Sequence, residues 1–132
     1  MVDKWHEQLE NKIATAFGSK AKTVWNKYHK AFTVCYREQN QVSQTIADIN
    51  EIEKLSSENQ LLINLYKTKE KRNPLHLKLY QYQYPIALSD ILPLLENMGL
   101  RTVRERSYEI FAQDQHSSWI NDFIITDRKS VV

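Results

Sequence analysis

The apolar residues of this chain change their spacing near residue 61, and that change limits the folds open to it. Before it, Trp5, Leu9, Ile13 and Phe17 recur every four residues, one stripe along an α-helix. Val24, Trp25, Tyr28, Ala31 and Phe32 repeat the three-and-four spacing after the Gly18-Ser19 break, and Val42, Ile46, Ile49 and Ile52 repeat it again. After it, Leu61, Ile63 and Leu65 alternate with Leu62, Asn64 and Tyr66. Leu75, Leu77 and Leu79 alternate with His76, Lys78 and Tyr80 in the same way. A period of two sets one row of side chains on one face of a sheet. Helical stripes first and strands afterwards define the α+β class.

Punctuation between these segments sharpens the reading. Gly18 stands where a left-handed cap closes the first helix, so residues 1–32 form a helical hairpin. Thr33-Val34-Cys35-Tyr36 is either a short strand or an extended connection, and Asn40 or Ser43 caps the helix that follows. The charged stretch Lys69 to Pro74, within the basic run Lys67 to Arg72, is a solvated turn closing an antiparallel hairpin. In Leu88 to Leu100, Ser89 is the expected cap and Asp90 suits the positive helix end. Pro93 falls in or near the first turn, Gly99 stops the helix, and Leu100 folds back on it. Ile91, Leu95 and Met98 are its expected buried face, set against Leu75, Leu77 and Leu79. Thr102 to Phe111 and Trp119 to Ile125 read as two more strands, joined by a polar loop from Ala112 to Ser118. From the possible strand at Thr33 onward the order is close to βαββαβ with one extra strand, the ferredoxin-like split unit. The expected architecture is a mainly antiparallel sheet with helices on one face over residues 33–127, preceded by the helical hairpin and followed by a tail at 128–132.

The chemistry available is narrow. At 132 residues the chain is about one domain, and with two glycines it has no phosphate-cradling loop, so no cofactor site is expected within it. Cys35 is the only cysteine, which excludes an internal disulfide. With His29 alone nearby, it reads as a small buried apolar group rather than a nucleophile. His6, His29, His76 and His116 lack the paired spacing of metal ligands. Asp48, Glu51 and Glu53 beside apolar helical positions read as a wet helix face. No catalytic residue is assigned. A net charge of +2 is too small for a nucleic-acid binder, and no apolar run is long enough for a signal peptide or a membrane span; the reading is cytoplasmic, with neither nucleic acid nor membrane as partner. The remaining candidates are aromatic. Tyr80, Tyr82 and Tyr84 share one side of a strand, and with Trp5 and Trp25 they form the candidate interaction surface, either covered by the amino-terminal helices or left for a partner.

Several blocks occur in a distinctive order: Tyr36-Arg37-Glu38, Ala47-Asp48-Ile49, Ile52-Glu53-Lys54-Leu55, Leu77-Lys78-Leu79-Tyr80, Leu88-Ser89-Asp90 running to Asn97-Met98-Gly99-Leu100-Arg101, Glu105-Arg106-Ser107-Tyr108-Glu109, and Trp119-Ile120-Asn121-Asp122-Phe123. From about Trp5 to Phe123 the chain resembles the large class of bacterial NAD-specific glutamate dehydrogenase, in the segment before its catalytic region. The resemblance implies an ACT-like domain of an oligomeric parent enzyme that oxidises glutamate to 2-oxoglutarate and ammonia with NAD. The catalytic lysines and dinucleotide fold would lie elsewhere in that parent. The implied partners are other domains and subunits of the same dehydrogenase. Two roles stay open, a structural or assembly domain and a sensor for a small amino-acid effector. Amino-acid-binding ACT modules usually carry a glycine turn after the first strand; Tyr36 to Gln41 has none, which favours the first role.

Overall fold

The computed structural model describes residues 4–67, 75–113 and 116–127. In chain order it contains α1 (Lys4–Phe17), a 3-10 turn (Gly18–Lys20), α2 (Ala21–Tyr28), α3 (Val34–Gln39), α4 (Val42–Ile52), β1 (Leu61–Lys67), β2 (Leu75–Tyr82), α5 (Leu88–Asn97), β3 (Leu100–Ile110) and β4 (Ser118–Asp127). The strands form one sheet in the order β1-β2-β4-β3, antiparallel at every step. The fold is thus an ACT-like α+β arrangement, a helical region followed by a four-stranded antiparallel sheet and its helix.

Both faces of the sheet are used. Odd-numbered Leu77 and Leu79 of β2 join Phe123 and Ile125 of β4 and meet Ile91 and Leu95 of α5 in one apolar cluster. Even-numbered Tyr80 joins Ile120, Tyr108 and Ile110 on the opposite face, where Leu9, Ile13, Tyr28, Tyr36, Ile49 and Ile52 of the first four helices cover it. Each such aliphatic side chain withdrawn from water contributes about 1.5–3 kcal/mol. The helices therefore lie on both faces of the sheet, not on one. Both rows of β2 are covered, the odd one by α5 and the even one, with Tyr80, by the first four helices.

Thr33 to Tyr36 differ from expectation. Thr33 is the N-cap of α3, its hydroxyl accepting the Tyr36 N–H at 3.3 Å. The segment is helical because that geometry turns Tyr36 inward, where its ring stacks on Phe32 at 4.8 Å and meets Tyr108 edge-on at 5.2 Å. Packing overrides the β-propensity of Val34 and Tyr36. The unit expected over 33–127 accordingly begins with two helices, and its strands run ββαββ.

Helix ends follow the chain's chemistry in part. Gly18 has φ +54 and ends α1; Gly99 has φ +80, donates its N–H to the Glu96 carbonyl at 2.9 Å, and lets Leu100 pack on the α5 cluster. At α4 neither Asn40 nor Ser43 is the cap: Gln41 holds that place, with Gln44 Oε1 accepting the Gln41 N–H at 2.9 Å. Asn40 instead donates to the Tyr36 carbonyl. Ser89 makes no cap either, because α5 starts two residues earlier, with Ala87 in the cap position, and this places Pro93 in the second turn. Met98, expected in the core, is 71% exposed, since the chain leaves the helix there to make the Gly99 turn. Most of the basic run, all of Lys69 to Pro74, part of the Ala112–Ser118 loop and the tail 128–132 lie outside the described residues.

Candidate functional site

Residues directly opposite each other in paired strands share a face, so the register lays out the sheet surface beneath the first four helices row by row. Leu62, Tyr80, Ile120 and Tyr108 form one row, which is apolar and covered. The next is Asn64, Lys78, Asp122 and Arg106, and beyond it lie Tyr66, His76, Ile124 and Arg104. One half of the face is core and the other half is charged.

Asp48 of α4 reaches into the boundary between these halves and has no solvent exposure. Its Oδ1 accepts from Lys78 Nζ at 2.9 Å and from the Tyr80 hydroxyl at 2.6 Å, while its Oδ2 accepts from the Tyr36 hydroxyl. Lys78 Nζ also lies 5.6 Å from the centre of the Tyr66 ring. Alongside, His76 Nδ1 lies 3.2 Å from Asp122 Oδ1, its ring stacks on Tyr66 at 4.6 Å, and the Tyr66 hydroxyl donates to Asp122 Oδ2 at 3.4 Å. Burial and the Asp48 charge push the Tyr36 and Tyr80 hydroxyls well above the usual phenol range, and burial with Asp122 does the same to Tyr66. All three stay neutral and act as donors.

Asp48 is therefore not part of a wet helix face. Its partners on β2 lie 30 and 32 residues away, and only the folded chain brings them to it. Chemically the group is a fastener. Its carboxylate takes a cation and two phenols and is shut off from solvent, so it is not presented to a substrate proton. Cys35 is exposed on α3, so it is neither the buried apolar group expected of it nor a member of this cluster. Among the described residues no group of three or more His, Cys, Asp or Glu is arranged to hold a metal. None of the described helices is long and apolar enough to cross a membrane.

The aromatic candidates are divided by the fold. Tyr80 is 2% exposed and belongs to the core, because the amino-terminal helices cover its side of β2. Tyr82 is half-buried at the rim of the same cluster, edge-on to His116 at 5.8 Å. Trp5 is half-buried; it packs edge-on against Phe32 and Tyr36 and donates Nε1–H to the Asn40 carbonyl at 3.3 Å, tying α1 to α3. Trp25 is half-buried beside His29. Tyr84 alone stands free of the cluster, at 72% exposure.

Another surface escaped the sequence reading. On the α5 side of the sheet, Leu61, Ile63 and Leu65 of β1 are 39%, 57% and 62% exposed. They lie opposite Gln81, Leu79 and Leu77, but α5 packs over β2, β4 and β3 and stops short of them. β1 is also an edge of the sheet among the described residues, so this apolar row borders backbone groups with no described strand on the outer side. Gln81, buried opposite Leu61, accepts the Ile86 N–H and brings the exposed Tyr84, Ile86 and Leu88 to that end of the strand. The alternation Leu61-Ile63-Leu65 was visible in the sequence; its position at an edge was not.

Residues 60–131 match the family described as glutamate dehydrogenase, ACT3 domain, and residues 12–55 match glutamate dehydrogenase, helical motif 2. The chain is 36% identical, over 99% of its length, to an NAD-specific glutamate dehydrogenase of Halomonas elongata. It is 32% identical over 92% of its length to one of Pseudomonas aeruginosa, and 24% identical over 96% to one of Mycobacterium tuberculosis. It spans 8% of the length of each of these relatives.

Proposed function

The chain belongs to the NAD-specific glutamate dehydrogenase family, and from that membership we propose that it is a non-catalytic structural domain that docks on other domains or subunits of such an enzyme. The parent reaction in this reading is the oxidative deamination of glutamate to 2-oxoglutarate and ammonia with NAD, carried out by residues outside this segment. The observation that carries the proposal is the uncovered row Leu61, Ile63 and Leu65 on the edge strand β1. Apolar side chains in a continuous row beside unpaired backbone are the usual makings of an interface, since a docked partner removes both from water. Tyr84, Ile86 and Leu88 extend the row with an aromatic of the kind that anchors such contacts.

The charged interior supports the non-catalytic part of the reading. Asp48 takes hydrogen bonds from Lys78 and from both phenols in the interior, and this fixes the helical layer to the sheet. The segment Tyr36 to Gln41, where the sensor reading looks for a glycine turn, is the end of α3 and the cap of α4, closed by the Asn40-to-Tyr36 hydrogen bond. The test is the pair Ile63→Asp and Leu65→Asp in the full-length dehydrogenase, followed by sedimentation and activity. The expected result is weakened assembly with the fold of this segment intact. A mutant enzyme that assembles like the wild type would overturn the proposal.

A further inference from the structure

The charged half of the sheet face is not fully used by the interior. Where α3 hands over to α4, a recess of about 80 Å³ remains between Asn40 and Gln44 above and His76, Asp122, Arg104 and Arg106 below. The charge on its walls is unbalanced. Asp122, the carboxylate in the recess, already takes His76 on one oxygen and Tyr66 on the other. Neither Arg104 nor Arg106 has a carboxylate within ion-pair distance among the described residues. His76 is 7% exposed, and its Nε2 is buried without a hydrogen-bond partner among the described residues. A buried polar nitrogen without a partner is costly, and in native proteins it calls for an explanation.

We propose that this recess binds a small oxyanion, a carboxylate or phosphate group, held chiefly by the Arg104 and Arg106 side chains. The planar guanidinium fork matches two oxygens of such a group, and two forks converging on one recess suit it better than a single surface cation does. Size narrows the ligand further: a recess of about 80 Å³ suits a carboxylate or phosphate head rather than a whole nucleotide. A larger metabolite would leave its body outside, toward the neighbouring cavity of about 370 Å³, which shares Gln44 and Tyr66 as walls. Anion binding there would join β3 to the α3–α4 junction, a contact distinct from the β1 row proposed above for docking, so either proposal can fail without the other.

The test is titration of the protein with inorganic phosphate and, separately, with malonate, followed by calorimetry and by amide chemical shifts. Saturable binding of either is expected, with shifts at Asn40, Gln44, Arg104 and Arg106; the tighter of the two assigns the ligand as phosphate or carboxylate. Arg104→Gln and Arg106→Gln should each weaken it about tenfold or more. Lys20→Gln, which removes one charge at an exposed residue that does not line the recess, should leave it within about twofold. Arg104 is exposed, so its variant keeps the fold even if the half-buried Arg106 variant does not. The proposal is overturned if neither anion saturates at concentrations on the order of 10 mM. It is equally overturned if Lys20→Gln weakens binding as much as the arginine variants do.

Discussion

Replacing Asp48 tests the account of the interior most severely. The carboxylate is fully buried, and three donors converge on it from α3 and β2. Asp48→Leu leaves Lys78 charged at 5% side-chain exposure beside the Tyr66 ring, and leaves the Tyr80 hydroxyl without its acceptor, while the Tyr36 hydroxyl keeps only Thr45 Oγ1 at 3.2 Å. Removing one partner of a buried ion pair costs about 3–5 kcal/mol. The orphaned Tyr80 hydroxyl adds about 1–3 kcal/mol, but the two terms overlap, so a loss of about 4–6 kcal/mol is expected. Lys78→Met is milder, about 2–3 kcal/mol, because the two phenols still solvate the remaining carboxylate. In the double variant Asp48→Leu with Lys78→Met no charge is left stranded. It should therefore be more stable than Asp48→Leu alone by about 2 kcal/mol or more. Urea unfolding, with the midpoint and slope followed for all four proteins, closes the cycle. An Asp48→Leu cost below about 1 kcal/mol, or single effects that simply add, would refute the fastener.

Three further outcomes follow from the same geometry. The Tyr36 and Tyr80 hydroxyls ionise in the fold only well above their unfolded value near 10, so above pH 10 the unfolded chain gives up protons first and stability falls. The expected slope approaches about 1.4 kcal/mol per pH unit for each tyrosine, with stability unaffected by them below about pH 9; urea midpoints across that range, compared with Tyr36→Phe, check it. Leu95→Ala should cost about 2–5 kcal/mol while Met98→Ala stays within about 0.5 kcal/mol, and thermal melts giving equal losses would contradict the observed face of α5. Gly99→Ala meets no steric obstacle but must hold φ +80, so a loss of about 1–2 kcal/mol is expected, and a neutral result would mean that the turn relaxes.

Local rules accounted for what local chemistry controls. The stripe Leu9-Ile13 and the stripe Ile49-Ile52 are buried as their spacing requires, and Gly99 ends α5 with the left-handed turn that its position implied. The alternation in β1 and β2 correctly paired them in an antiparallel register. The family resemblance, carried by blocks spread over nearly the whole chain, agrees with the matches to glutamate dehydrogenase. Spacing along one segment says which residues share a face, and caps and glycines say where the segment stops.

What the tertiary structure decided depends on encounters between distant segments. Thr33 to Tyr36 became a helix because Tyr36 is needed against Phe32 and Tyr108. Asp48 looked like one more solvated helical acid until β2 brought Lys78 and Tyr80 to it from 30 and 32 residues away. Tyr80 was lost to the core and Leu61, Ile63 and Leu65 were left to solvent for a related reason: the strand order β1-β2-β4-β3 sets which strand is an edge, and α5 is not broad enough to reach it. Side-chain period is a property of a segment, whereas strand order and the cover over each face belong to the assembled layers.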